Sequence, residues 1–220
     1  MKFGTAFLLS SCCLCPAAMA AGGHHSVDDA TTLDPGQCQV EVWTEQASGS
    51  DLEHIGPACR LGALEWGLNI DRKRIHGSNS TPQSGGLQLK WAREFAPGWS
   101  LGAATGVNWQ NQAPHRAGQW LVVPLTWAAT PEVTLHLNLG REFRNGSPDR
   151  STRGAAVEWQ PFTQWQGLLE WFDDGQRPLH RVGLRYFITE LISLDLSRAA
   201  HQGGARDPWW TVGLNWAWNR

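Results

Sequence analysis

The sequence predicts an all-β protein, an antiparallel up-and-down transmembrane β-barrel, on three observations. Apolar and polar residues alternate along most of the chain after residue 36, which is typical of strands with one face on lipid. Short turns follow longer polar loops in regular alternation, as short periplasmic turns and longer extracellular loops do in outer-membrane barrels. There are 14 Trp but only one Tyr, and a membrane interface uses such anchors more than an ordinary core does. A Trp-rich soluble β-sandwich is the alternative fold.

Residues 1–20 have the anatomy of a secretory signal peptide. Lys2 precedes an apolar run that extends through Leu14, and Ala18-Met19-Ala20 is a small-residue cleavage site. The stretch from Leu9 to Cys12 offers a lipoprotein-like site as the alternative. The remaining chain has no apolar run long enough for an ordinary transmembrane helix, and its net charge of −2 gives no reason to expect nucleic acid as a partner.

Residues 21–36 are polar and predict a flexible lead-in on the periplasmic side, before a barrel at 37–220. Four of them, His24, His25, Asp28 and Asp29, are possible metal ligands. Signal cleavage after Ala21 would leave Gly-Gly-His at the amino terminus, which can surround Cu(II) or Ni(II) in a square plane. An unstructured leader is the preferred interpretation, and no cofactor is expected.

The first hairpin brings two cysteines together. Residues 37–45 alternate, a turn follows at Ala47-Ser48-Gly49-Ser50, and residues 52–61 return. Pairing about this turn places Cys38 opposite Cys59 on the same face of the sheet. An exported chain with this pair predicts a disulfide in an oxidising compartment.

The clearest hairpin lies at residues 86–110. Its two alternating runs are separated by Ala96-Pro97-Gly98, and Trp91, Trp99 and Trp109 lie near the ends of its strands, as in an interfacial girdle. Further alternating runs are centred on Leu68, Val123, Leu137, Val157, Leu169, Leu184, Leu194 and Leu214. The total is twelve strands if Gly62-Ala63 forms a tight turn, and ten if residues 58–71 are one continuous strand.

The entry to the first strand resembles that of a known barrel family. The segments concerned are Asp28-Asp29-Ala30, Pro35-Gly36-Gln37 with Glu41, Cys59-Arg60-Leu61-Gly62 and Leu64-Glu65-Trp66-Gly67-Leu68. They are similar to the opening of proteobacterial outer-membrane barrels of the phenol-degradation-pathway transporter type. The resemblance covers about the first quarter of the chain after residue 20. It implies a passive outer-membrane channel or an uncharacterised barrel, located in the outer membrane of a Gram-negative bacterium.

The polar faces of the strands carry charges of both signs that are predicted to line the lumen. They are Glu41, His54, Arg60, Glu65, Asp71, Lys90, Glu94, His136, Glu142, Glu158, Glu170, Arg181, Arg185 and Asp195. One interpretation is a packed polar interior that holds the register. The other is a narrow selective pore, because mixed charges can both plug and select.

His76-Gly77-Ser78-Asn79 resembles the His-x-Ser-Asn arrangement of outer-membrane phospholipases and lipid deacylases. In those enzymes the His is base to a Ser nucleophile. Asp71 or Glu65 would have to orient His76 here. A loop that contains His and Ser by chance is the preferred explanation.

Three function classes compete, and a small passive channel or uptake porin for small solutes is favoured. Six glycines predicted on the lumen face leave room inside the barrel; they are Gly67, Gly102, Gly106, Gly140, Gly183 and Gly213. The alternatives are a structural or interaction barrel with a closed lumen and an outer-membrane lipid hydrolase. The expected partners are outer-membrane lipid, small solutes and the outer-membrane assembly machinery, although the chain ends in Trp218-Asn219-Arg220 rather than in a terminal aromatic residue.

Overall fold

A computed structural model describes residues 24–203 and 208–219, which form a closed antiparallel barrel of twelve strands. The predicted fold class is confirmed, and the ten-strand alternative is wrong. The predicted signal peptide, residues 1–20, lies outside the described residues. The strands are β1 (Gln37–Gln46), β2 (Ser50–Leu61), β3 (Leu64–Ile75), β4 (Gln83–Ala96), β5 (Trp99–Gln110), β6 (Arg116–Ala128), β7 (Val133–Arg144), β8 (Arg150–Phe162), β9 (Trp165–Asp173), β10 (Pro178–Thr189), β11 (Ile192–His201) and β12 (Trp209–Asn219).

Each strand pairs with its neighbour in the sequence, and β1 pairs with β12 to close the barrel. The connections after β2, β4, β6, β8 and β10 are short, and we call this the short-turn end of the barrel. Most connections at the opposite end are longer, and we call it the long-loop end. The predicted tight turn at Gly62-Ala63 is present, and Gly62 has a φ of 64°, a left-handed conformation that glycine adopts without steric cost.

The predicted disulfide is confirmed. Cys38 and Cys59 lie opposite each other in the β1–β2 register, with their Cα atoms 4.0 Å apart. The bond therefore ties the first two strands together near the short-turn end, beside the seam where β1 meets β12.

The apolar face of the sheet points outward, as a lipid-facing wall requires. Leu139 is 70% exposed although it lies in the middle of a strand, and Trp91 and Trp109 are also exposed. At the short-turn end, Trp99 and Trp127 lie opposite each other in register and stack with their ring centroids 5.0 Å apart. None of the described residues forms a helix long and apolar enough to cross a membrane.

Residues 24–33 run inside the barrel and residues 34–36 are exposed, whereas a flexible lead-in was predicted for residues 21–36. We call residues 24–33 the lumen segment. It begins at mid-barrel, where His24 contacts Ser197, and descends to Leu33 near the short-turn end, where β1 starts. The segment is ordered because its backbone amides meet inward-facing acceptors at each level of the wall, so that few of its polar groups are left unpaired.

Candidate functional site in the barrel lumen

Backbone N–H groups of the lumen segment donate to side chains of the wall. Ser26 and Val27 both donate to Oε2 of Glu170, at 2.8 and 2.9 Å. Leu33 donates to Oε2 of Glu65 at 2.8 Å, and its carbonyl accepts from Arg60 at 2.9 Å. These inward residues, all predicted to line the lumen, therefore bind the chain itself.

Apolar packing supports the same attachment. Val27 is buried against Ala156 and Leu168, with Phe172 beside them. Gly154 makes room for this contact, because a methyl group there would lie 2.5 Å from Cγ2 of Val27. The small residues on the inner face of β8 thus leave space in which the segment packs against the wall.

Lys90 is the main charged contact of the segment. Its Nζ lies 2.6 Å from Oδ1 of Asp28 and 2.6 Å from Oδ1 of Asp29. Asp29 also accepts hydrogen bonds from the backbone and hydroxyl of Thr31. A buried ammonium with two carboxylates satisfies the rule that buried charges are paired.

This pairing also corrects the metal-site hypothesis for His24, His25, Asp28 and Asp29. The two carboxylates are occupied by Lys90, and His24 Nε2 lies 2.6 Å from Oγ of Ser197. Among the described residues, no group of three or more His, Cys, Asp or Glu side chains is placed to hold a metal ion. The alternative copper or nickel site at the amino terminus requires residues 22 and 23, which lie outside the described part.

The far wall of the lumen carries a second set of charges. Arg185 Nε lies 2.6 Å from Oδ1 of Asp195. Arg181 donates to the carbonyl of His24 and lies near Glu45 and Glu170, at 3.6 and 3.7 Å. These contacts fill the β9–β12 side of the lumen.

His136 belongs to a neighbouring polar cluster. Its Nδ1 lies 2.9 Å from Oγ1 of Thr126, which also accepts the amide of Ala30, and its Nε2 lies 3.5 Å from Glu158. Gln166 donates to Glu158 at 3.0 Å. The cluster links β6, β7, β8 and β9 below the segment.

A cavity of about 390 Å³ remains beside the lumen segment. It extends from Gln39 and Ala58, near the short-turn end, to Asn108 and Glu142, which lie two residues from the long-loop ends of their strands. It lies on the β1–β7 side of the lumen, opposite the Arg181 and Arg185 contacts. Its lining contains four carboxylates, those of Asp28, Glu41, Glu65 and Glu142, and the single ammonium of Lys90.

Aromatic rings form part of the cavity wall. Trp43 and His54 stack with their centroids 4.4 Å apart and their planes 8° from parallel. His54 Nδ1 lies 2.7 Å from Asp71, which fixes the ring. Trp120 lines the same cavity and lies opposite Glu142 in the β6–β7 register.

Most of the glycines predicted to leave room in the lumen are crowded by neighbouring side chains or backbone. A methyl group at Gly106 would lie 2.7 Å from the ring of Trp120, and one at Gly67 would lie 2.6 Å from the side chain of Gln88. Gly102 and Gly140 are also crowded, with nearest contacts of 3.0 and 2.4 Å, whereas a methyl group at Gly183 or Gly213 would have its nearest neighbour at 3.2 or 3.4 Å. At Gly67, Gly102, Gly106 and Gly140 the room is taken by larger neighbours, so glycine on the inner face does not by itself indicate an open pore.

Most of the predicted lumen residues are buried or half-buried inside the barrel, and one is not. Glu94 is exposed at the short-turn end, where its Oε1 accepts the amide of Gly98 at 3.0 Å. The register shifts between Glu94 and Ala96, and this shift ends the alternation before the turn. Trp43 and Trp120 also line the cavity but are not among the predicted lumen residues, although Trp43 shares a strand face with Glu41 and Trp120 shares one with Gly118.

The predicted His76–Ser78 pair is not assembled. Nδ1 of His76 lies 3.1 Å from the carbonyl of Ser48, and Nε2 lies 3.1 Å from Oδ2 of Asp51. Ser78 Oγ instead accepts the amide of Ser80. Neither proposed orienting residue serves His76, because Asp71 binds His54 and Glu65 lies at the opposite end of β3.

Comparison with solved structures identifies the fold. The KdgM porin matches with a TM-score of 0.65 and 11% identity over 82% of this chain and 99% of that chain. The NanC porin matches with a TM-score of 0.59 and 11% identity over 81% and 98%. Outer membrane phospholipase A from Escherichia coli matches with a TM-score of 0.51 and 12% identity over 81% and 92%. At these identities the likeness shows the outer-membrane barrel fold, whereas the resemblance to the phenol-degradation-pathway type stays a prediction.

No curated protein matches the chain. A family model does match, and it covers residues 9–218, which include the lumen segment and all twelve strands except the last residue of β12. The chain therefore belongs to the family described as uncharacterised conserved protein UCP029691.

Proposed function

We propose that the protein is a narrow passive channel for small solutes in the outer membrane of a Gram-negative bacterium. The observation that carries this proposal is the polar cavity of about 390 Å³ that extends along the lumen segment through much of the barrel height. The outward apolar wall and the tryptophans near the strand ends support the membrane location.

The lumen segment sets the width of this channel. Its upper part occupies the β8–β11 side through Val27, Ser26 and His24. Its lower part contacts β3, β4 and β6 through Glu65, Lys90 and Thr126, and it therefore narrows the space on the β1–β7 side that is left to solutes. Permeation is therefore expected to be slow and limited to small molecules.

A barrel with a closed lumen is the second candidate, and the same segment favours it. Its hydrogen bonds to Glu65, Thr126 and Glu170 are those of a fixed plug. Such a barrel would serve a structural or interaction role rather than transport.

Unitary conductance in planar bilayers distinguishes these candidates. We expect small resolved steps from the wild-type barrel and larger ones from Gly154→Ala, whose new methyl group displaces Val27. Gly167→Ala is the matched control, because a methyl group there has its nearest contact at 3.8 Å. Ion preference should shift in Glu142→Ala and Arg185→Ala.

Folded barrels are verified beforehand by heat-modifiable mobility on gels. Absence of conductance in the wild-type barrel, whether or not Gly154→Ala conducts, would refute the passive channel and support the closed structural barrel. Recovery of the folded protein from the soluble periplasm would refute the membrane location.

A further inference from the structure

Two indole–carboxylate pairs line the lumen cavity. Trp120 and Glu142 are direct cross-strand neighbours on β6 and β7. Glu41 and Trp43 are two residues apart on β1, so that both point to the same face of the sheet. An indole face attracts a cation through its quadrupole, and a nearby carboxylate adds a charge-assisted contact.

We propose that this cavity binds small organic cations of the primary or quaternary ammonium class. The proposal rests on the lumen function given above, since it names the solute that the cavity would select. It concerns binding, and the equilibrium measurement described below does not require the barrel to conduct.

The charge of the lining favours a cation over an anion. Lys90 supplies the ammonium of the lining, and Asp28 and Asp29 neutralise it at 2.6 Å each. The carboxylate of Glu65 is held by the amide of Leu33. Among residues 24–203 and 208–219, Glu142 makes no hydrogen bond or close ion pair, and the guanidinium groups of Arg150 and Arg144 act on it only from a longer distance. Of the four carboxylates of the lining, it lies nearest the long-loop entrance. An arriving ammonium group would therefore meet Glu142 and Trp120 first.

A second feature of the lining fits the same ligand class. His25 lines the cavity, and its Nδ1 is buried without a hydrogen-bond partner in the described part of the chain. Buried polar atoms usually have a partner, and an unpaired one indicates a missing group. A neutral imidazole nitrogen accepts an N–H, which a primary ammonium ligand can donate.

Neutral polyhydroxylated solutes are the competing ligand class. The amides of Gln39, Asn69 and Gln88 also line the cavity, and amides suit hydroxyl groups. However, Asn69 donates to Gln88 at 3.0 Å and Gln39 donates to Glu41 at 3.0 Å. These amides are thus already engaged with each other and with the wall.

Equilibrium dialysis on the detergent-folded barrel tests the proposal with charge-matched probes. Choline is compared with 3,3-dimethyl-1-butanol, its uncharged carbon analogue, and with galacturonate as an anion. We expect saturable binding of choline and none of the other two probes. Glu142→Gln, which removes charge but keeps shape, should weaken choline binding about tenfold. Glu190→Gln, in the exposed β10–β11 turn, is the control and should leave it unchanged.

Binding of dimethylbutanol or galacturonate as strong as that of choline would overturn the proposal. So would full retention of choline affinity in Glu142→Gln. The bilayer measurement separates this result from the channel function. If the barrel binds choline but shows no conductance, the cation site is supported and the channel is refuted. If the barrel conducts but does not bind choline, the channel is supported and the cation site is refuted.

Discussion

Nζ of Lys90 lies 2.6 Å from Oδ1 of Asp29, and both side chains are almost fully withdrawn from solvent, at 10% and 3% exposed. Asp29 precedes Lys90 by 61 residues, and the contact joins the lumen segment to β4. The segment is therefore held by a buried charge pair in addition to its backbone hydrogen bonds.

Removal of the cation should release the segment. Lys90→Met removes the cation that faces the half-buried Asp28 and the buried Asp29, and breaking a buried pair in this way costs roughly 3–5 kcal/mol. We expect a loss of this size in reversible urea unfolding, together with new proteolytic cleavage in residues 24–33. The triple variant Lys90→Met, Asp28→Asn, Asp29→Asn should recover part of the stability, since no charge is then left unpaired.

An exposed ion pair provides the comparison. Arg153 lies 3.0 Å from Asp173, but its side chain is 65% exposed. Arg153→Gln should cost less than about 1 kcal/mol. Equal losses in Arg153→Gln and Lys90→Met would contradict the special role of the buried pair.

The disulfide should stabilise the barrel moderately. Cys38 and Cys59 are 21 residues apart, and closing a loop of this length is worth about 3 kcal/mol in the chain-entropy model. Cys38→Ala with Cys59→Ala should lower the urea midpoint, and reduction of the wild-type barrel should lower it equally. Mass mapping that found both thiols free in the exported protein would refute the pairing.

The pKa of His76 should be higher than that of an ordinary histidine. Its hydrogen bond to Asp51, and then that to the Ser48 carbonyl, raise the pKa of His76. Because the folded pKa is raised, the stabilisation that this residue gives the long-loop end is complete below the pKa of an ordinary histidine and is lost as pH rises through the folded value. NMR titration of the His76 ring should show the raised pKa, and Asp51→Asn should lower it. An unshifted His76 in the wild-type protein would show that these contacts do not persist.

Lipid hydrolysis should not depend on His76 or Ser78. Both ring nitrogens of His76 face other acceptors, so the ring cannot take the proton of Ser78 in this arrangement. Any phospholipid hydrolysis by the purified barrel should be the same in His76→Ala and Ser78→Ala as in the wild type. Activity that both substitutions abolish would restore the hydrolase hypothesis.

The strands and their register were predictable because a lipid-facing wall imposes a period of two on the sequence. Cys38 and Cys59 added an independent constraint, and the turn at Gly62-Ala63 decided the strand count. Glu94 departs from the pattern because a register shift precedes the turn. Alternation assigns a face to each residue, but it does not indicate which inward residues meet.

The lumen segment was not predictable in the same way. Val27, Ala30 and Leu33 recur every three residues among polar neighbours, which matches neither a strand nor a long helix. The charges on the wall gave no signal either, because Lys90 and Glu170, which hold the segment, have partners of opposite sign across the β3–β4 and β9–β10 pairs, Glu65 and Arg181. Such cross-strand charge pairs do not reveal that a further segment of the chain lies between them.

The partners of the lumen segment also imply an order of assembly. Glu170, Arg181 and Ser197, which hold its upper part, lie on β9, β10 and β11, and β1 pairs with β12 to close the wall. The residues nearest the amino terminus of the described chain therefore acquire their contacts only after the carboxyl-terminal strands are in place. Protection of the amides of Ser26 and Val27 from hydrogen exchange would thus mark the moment at which the barrel closes.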